Sequence, residues 1–266
     1  MPELPDVEIY RRRLEDRALH QRIDTVHVAA PELLNDTSRQ GLGRLAHGHR
    51  FSLARRHGKC LFAGLDSGSW IMLHFGMSGS LAYLERGEEP PRYCRCLFRF
   101  ANRASLAYVA RRKLGRIATP TSPRAYVDAE ALGPDALDMD ADAFAASAAK
   151  RRGQVKSWLM DQGSIAGIGN VYSDEILFQA GVHPRCAVGE LSGKTLGRVH
   201  RCMHTVLEQA IDAAADPENM PDSFLIPKRK KGGRCPRCAG EIASVKAAGR
   251  TAWFCPNCQP QTCSPD

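Results

Sequence analysis

Two cysteine pairs near the end of the chain, Cys235-Pro-Arg-Cys238 and Cys255-Pro-Asn-Cys258, constrain the fold more than any other feature, because only sixteen residues separate them. Four thiolates at this spacing match a closed tetrahedral zinc site with a β-hairpin between two knuckles. A redox dithiol would need a βαβ context that the surrounding sequence lacks. So small a unit has almost no core, and metal binding is expected to supply most of its folding free energy, on the order of 10 kcal/mol. One structural Zn2+ held by Cys235, Cys238, Cys255 and Cys258 is the expectation. Lys246, Arg250, Trp253 and Phe254 lie within the interval. A structural ribbon needs no such cations, which favours a phosphate-gripping role for Arg250.

The other early cysteines, Cys60, Cys94, Cys96, Cys186 and Cys202, are scattered, and Met1-Pro2-Glu3 opens without a basic-then-apolar leader. A reducing compartment follows, with those five as small buried hydrophobes rather than disulfide partners. Cys94 and Cys96 alternate with Phe98 and Phe100, a spacing that suits one face of a strand. No apolar run approaches the roughly 18 residues of a bilayer span, so neither secretion nor membrane insertion is expected. A length of 266 residues with 43% hydrophobic and 25% charged content rules out a single minimal module and wholesale disorder. The net charge is +8, and 28 of the 37 cations are arginine. A solvated arginine-rich surface and a polyanion partner both fit that charge until it is placed.

Helical spacing over 5–21 brings Val7, Tyr10, Leu14 and Ala18 to one face, with Pro5 and Asp6 suited to the first turn. Short alternating runs follow at 23–28, 51–54, 60–65, 70–74, 81–84, 94–100 and 105–109, which predict a sandwich or barrel. The Pro-rich, then acidic stretch around 120–142 reads as a linker. Helical periodicity returns at 143–150, 155–161, 171–179 and 194–214, with Gly181 as a left-handed stop.

Two further segments carry chemistry. An initiator Met before Pro is commonly removed, which would leave Pro2 as a secondary amine. An α-amino group with a pKa of roughly 8 is about a tenth neutral near pH 7, over a hundredfold more than lysine, and can attack an aldehyde carbon. Glu3 beside it can move protons, although a capped, acidic helix start explains the same residues. Gly167-Ile-Gly169-Asn170 places glycines before a helix, where backbone N–H groups can approach an anion; an ordinary capped turn is the alternative.

Taken in order, Pro2-Glu-Leu-Pro-Asp-Val-Glu8, Arg55-Arg-His-Gly-Lys59, His74-Phe-Gly-Met77-Ser-Gly, Leu132-Gly-Pro-Asp-Ala-Leu137, Gly167-Ile-Gly-Asn-Val-Tyr172 and the cysteine finger resemble the formamidopyrimidine-DNA glycosylase and endonuclease VIII family. The resemblance runs from residue 2 to about 259. It implies an α+β multidomain fold: an N-terminal β-sandwich with a leading helix over 1–120, a linker over 121–142, a helix-two-turn-helix domain over 143–226 and a β-hairpin zinc finger over 227–266. It also implies a monomeric base-excision-repair enzyme acting on double-stranded DNA with a damaged base or abasic site, with DNA across the cleft between the halves and no membrane partner. Its place would be the cytoplasm in a bacterium and the nucleus in a eukaryote.

By the same resemblance, Pro2 attacks C1′ of a flipped nucleotide, the base leaves, and the Schiff base permits β,δ-elimination, with Glu3 moving protons on the sugar. Lys59 matches a phosphate-contacting lysine of the catalytic set, His74 falls in a DNA-contacting motif, and Asn170 and Arg250 match a phosphate-gripping pair. Met77, which alone would read as core, matches the residue that fills the gap left by the flipped base. Arg112 matches the residue reaching the opposite base. Around it the sequence departs from the family: Lys113 stands for a second arginine and Leu114 for an aromatic wedge. Gly163 replaces a common lysine, and only ten residues separate Phe224 from Cys235. These departures argue against strong 8-oxoguanine activity and leave ring-opened purines, hydantoins and oxidised pyrimidines as candidate substrates. An endonuclease VIII-like pyrimidine preference and a non-catalytic damaged-DNA binder are the alternatives. The basic run 228–231 fits a DNA-approaching segment better than a nuclear address.

Overall fold

The computed structural model describes residues 1–149, 151–247, 249–261 and 263. The chain divides into two compact units, Met1–Ala131 and Leu132–Asp266.

The first unit opens with α1 (Leu4–Ala18), whose Leu4, Val7, Leu14 and Ala18 are buried. Its start is fixed by Pro5 and by the Asp6 carboxylate, which accepts the Glu3 backbone N–H at 2.9 Å. Eight strands follow: β1 (Ile23–Val28), β2 (Phe51–His57), β3 (Cys60–Leu65), β4 (Trp70–His74), β5 (Gly79–Leu84), β6 (Cys94–Phe100), β7 (Ser105–Ala110) and β8 (Arg116–Ala118). They form two four-stranded antiparallel sheets in the orders β1-β6-β7-β5 and β2-β3-β4-β8. Alternate residues of the two sheets share one core, where Phe51 of one sheet meets Phe98 of the other edge-to-face at 5.5 Å. The expected sandwich is therefore present.

Three features of this unit escaped sequence patterning. Helix α2 (Arg39–Ala46) contains two glycines, yet it is capped by Ser38 and buries Leu42 and Ala46. Strand β8 spans three residues, too few for an alternation signal. Helix α3 (Pro123–Ala129), capped by Ser122, occupies part of the stretch read as a linker, and the division between units falls just after it. Cys94 also departs from expectation. The β6–β7 register shifts between Cys94 and Cys96, so Cys96, Phe98 and Phe100 join the main core while Cys94 packs beside Leu84, Leu97 and Ala107.

The second unit holds α4 (Ala141–Ala149), α5 (Val155–Met160), α6 (Asn170–Ala180), α7 (Gly193–Asp212) and the hairpin β9 (Ala243–Ala247) and β10 (Arg250–Phe254). Lys150, placed at the end of the first of these helices by its periodicity, lies outside the described residues. Gly181 ends α6 at φ +67°, the left-handed stop its position predicts. The finger is not left to its metal alone: Cys235, Ile242 and Cys255 share an apolar cluster with Phe178 of α6 and Leu225. Cys186 corrects the expectation of unpaired early cysteines, because it is disulfide-bonded to Cys263 across 77 residues of sequence. No helix among the described residues is long and apolar enough to cross a membrane.

Candidate active site and phosphate grip

In the first unit, α1 puts Pro2 half-buried and Glu3 fully buried at its positive end. Burial pushes the neighbouring Asp6 up to about 6, with the Glu3 charge adding to the rise and the Glu3 N–H opposing it. One turn on, burial acts to raise Glu8, but Arg11, Arg12 and Arg56 outweigh it and hold the carboxylate low. Arg56 lies in the segment leading to Lys59, and its Nε donates to Glu8 at 3.2 Å. This bond fastens the β2–β3 turn to the helix that presents Pro2 and Glu3.

That turn is made by Gly58, at φ +55°, and half-buried Lys59. Cys60 pairs with His74 across β3 and β4, so Lys59 and His74 sit at neighbouring strand ends. Burial first, then the charges of Arg116 and Lys59, push His74 down to about 4, which leaves its ring neutral at pH 7. Its Nδ1 accepts the Gly76 N–H at 3.3 Å, and its carbonyl accepts the buried Tyr108 hydroxyl at 2.8 Å. The loop carrying Met77 is thus tied to the sandwich at its root.

The loop between β7 and β8 carries Arg112, Lys113 and Leu114, all exposed. Gly115 allows it to pass the sandwich, since a Cβ there would lie 2.4 Å from the His74 carbonyl oxygen and would overlap the Tyr108 hydroxyl. Met77 and Leu114 are both exposed apolar side chains, 40% and 52% accessible, on these two touching loops. Lys113 is less free than its neighbours: it takes φ +51°, and its Nζ pairs with Glu32 at 2.6 Å.

In the second unit Asn170 begins α6, with Gly169 at the cap. Its Oδ1 is buried and has no partner among the described residues. The preceding loop is shaped from within: Gln162 accepts the Gly167 N–H at 3.0 Å and donates to the Ile168 carbonyl at 2.8 Å. The Gly167 amide, expected to face an anion, is therefore already engaged.

Patterning alone misses the cluster below. Lys156 of α5 and Asp174 of α6, both fully buried, pair at 2.5 Å, and Lys156 also donates to Ser173 Oγ and the Asn170 carbonyl. Asp174 further accepts Arg229 Nε at 2.7 Å and the Trp253 N–H at 3.1 Å. One carboxylate thus joins the helix that presents Asn170 to the strand that presents Arg250. The signal lay in charged residues on helix faces that periodicity assigns to the core. Arg229, read as part of a DNA-approaching run, is partly buried and paired with Asp174, whereas Lys228, Lys230 and Lys231 are exposed. The short stretch after Phe224 is tied down too, because Leu225 and Ile226 donate to the buried Glu175 at 3.1 and 2.8 Å. Arg250 is exposed at the start of β10.

The four finger sulfurs all lie within 4.8 Å of one another, with Cys235–Cys258 at 3.7 Å and Cys238–Cys255 at 3.5 Å. Zn–S bonds of 2.3 Å in a tetrahedron require edges of about 3.8 Å, so the donor set fits Zn2+.

The chain matches the formamidopyrimidine-DNA glycosylase N-terminal domain over residues 1–117, the H2TH domain of that enzyme over 131–220, and the zinc finger found in FPG and IleRS over 232–261. It is 32% identical to the formamidopyrimidine-DNA glycosylase of Heliobacterium modesticaldum, covering 97% of this chain and 100% of that protein. To the one from Synechococcus elongatus it is 33% identical, with 98% of each covered. Among solved structures, Lactococcus lactis Fpg in complex with DNA containing an abasic site superposes with a TM-score of 0.87 at 27% identity, covering 97% of this chain and 99% of that one. The complex of the same protein with FAPY-dG-containing DNA gives 0.88 at 26% identity, covering 97% and 100%. With sandwich, helical unit and four-cysteine finger in this order, and relatives matched from end to end, the chain belongs to the formamidopyrimidine-DNA glycosylase family.

Proposed function

We propose that this enzyme removes oxidised bases from double-stranded DNA and then cuts the strand as an abasic-site lyase. The observation that carries this reading is the pairing of Pro2 with a fully buried Glu3 at the start of α1. Once Met1 is removed, the Pro2 nitrogen attacks C1′ of the extruded nucleotide and the C1′–base bond breaks, with Glu3 passing a proton to the opening sugar. The product is an iminium between Pro2 and C1′. Loss of a C2′ proton then expels the 3′-phosphate, and a second elimination expels the 5′-phosphate. Lys59 and His74 contact the phosphates around the lesion. Met77 occupies the vacated stack, and Arg112, with Lys113 and Leu114, faces the opposite base. Asn170 and Arg250 hold backbone phosphates. Zn2+ holds the hairpin that carries Arg250.

Borohydride trapping with Met-processed protein on a panel of lesion duplexes tests the reaction. A covalent complex that disappears in Pro2→Gly supports it; no complex on any lesion leaves a damaged-DNA binder instead. A second reading, an endonuclease VIII-like preference for pyrimidines, is favoured by the short, internally bonded stretch after Phe224. Faster cleavage of thymine glycol than of a formamidopyrimidine would establish it.

A further inference from the structure

Helix α7 carries His200 and His204 one turn apart, and both rings reach the same backbone oxygen. His200 Nε2 lies 2.8 Å and His204 Nε2 3.0 Å from the Met139 carbonyl oxygen, and 3.2 Å separates the two nitrogens. Three polar atoms therefore form a triangle whose every edge is within hydrogen-bonding range.

Hydrogen bonds cannot satisfy all three edges. A carbonyl oxygen only accepts, so both rings must carry Nε2–H to serve it, and the two nitrogens then face each other as donors. If either ring gives up that proton to accept from the other, its lone pair faces the lone pairs of the carbonyl. A cation removes the conflict, because two neutral imidazoles and a carbonyl can all direct lone pairs at it. For these edges a point about 2.1 Å from every corner exists, the ordinary length of Zn–N and Zn–O bonds.

We propose that His200, His204 and the Met139 carbonyl form a second metal site, distinct from the four cysteines, that takes a divalent transition ion such as Zn2+ or Ni2+. Two histidines at i and i+4 present their rings on one helix face, the spacing other helical zinc sites use. His200 is held in place by the Phe144 ring, with centroids 5.2 Å apart. Asp138 and Asp140 flank Met139 in sequence and line the same concavity as the two histidines, as do Arg201 and Thr205. Asp140 is partly committed, since it accepts the Ala143 N–H at 2.7 Å, whereas Asp138 is exposed. An ion here would fasten α7 to the segment entering α4. Mg2+ and Ca2+, which take oxygen donors, do not suit two imidazoles.

The test is equilibrium dialysis of the untagged, full-length, zinc-loaded protein against micromolar Zn2+, followed by elemental analysis. The parent should hold two ions per chain, and His200→Asn/His204→Gln should hold one. His204→Gln alone keeps an N–H donor for the Met139 carbonyl and should also fall to one, which covers the case in which the double variant does not fold. The site is disproved if the parent holds a single ion or if His204→Gln still holds two.

Discussion

Gly76 lies against the backbone of Leu114 so closely that a Cβ on it would stand 2.4 Å from the Leu114 carbonyl carbon and oxygen. Gly76 is also at φ +58°, where any side chain is strained. The loop that carries Met77 and the loop that carries Arg112 and Leu114 therefore pack directly against each other. Gly76→Ala should destabilise the protein by roughly 1–3 kcal/mol from backbone strain and displacement. It should also slow cleavage of a lesion duplex at least tenfold. Met77→Ala should slow cleavage with little change in stability, because that side chain is exposed. Urea unfolding and single-turnover assays on both variants would show the contrast; equal stability losses would mean the contact does not set the loops.

The buried pair Lys156–Asp174 gives a prediction of the opposite kind. Asp174→Asn leaves the Lys156 ammonium in a dry site and frees Arg229 from its only carboxylate among the described residues. Breaking such a pair from one side costs roughly 3–5 kcal/mol. The same change loosens the link from α6 to Trp253, so DNA affinity should fall along with stability. Thermal melting of the zinc-loaded protein would check the first effect, and an unchanged melting temperature would count against it.

The sequence makes some of these parts legible and conceals others, for physical reasons. The cysteine spacing and the short apolar or alternating runs of β1 to β7, broken by turn residues, are local patterns, and they carry the finger and the sandwich. Helix α2 was hidden by Gly41 and Gly43, whose low propensity is overridden by the burial of Leu42 and Ala46. The Asp174 junction joins residues far apart in the chain, and no local window contains Lys156, Asp174, Arg229 and Trp253 together. Cys186 and Cys263 show the same limit, since their approach depends on the path of the chain between them. The resemblance nominates Lys59, Asn170 and Arg250, but not the Lys156–Asp174–Arg229 contacts beneath Asn170.

His74 makes stability depend on pH with a definite sign. Unfolded, its ring takes up a proton as pH falls through about 6.5; folded, it resists until about 4. The unfolded state thus binds more protons between these values, and stability falls as pH drops through that window. Asp6, raised to about 6, acts in the opposite direction between about 4 and 6. Comparing the parent with His74→Gln isolates the histidine. Allowing for partial exposure, the variant should lose less stability than the parent between pH 7 and pH 4, by on the order of 2 kcal/mol. Urea titrations at both pH values measure the difference, and identical losses would exclude a depressed His74.

Arg250 should reveal itself through salt rather than through sequence preference. It projects from a hairpin whose ends are held by the four finger cysteines. A phosphate contact releases counterions on binding, so each one adds about 0.9 to the slope of log K against log salt. Arg250→Ala should lower that slope by about 1 and weaken binding evenly across lesions. Stripping the zinc should abolish the same contact and disturb the exposed basic residues around it, so the slope should fall by more than in the variant. The sandwich, which shares no ligand with the finger, should keep its near-ultraviolet signature after chelation. Fluorescence anisotropy across a salt series with parent, Arg250→Ala and chelated protein decides the matter. A slope that Arg250→Ala leaves unchanged would remove this residue from the phosphate grip.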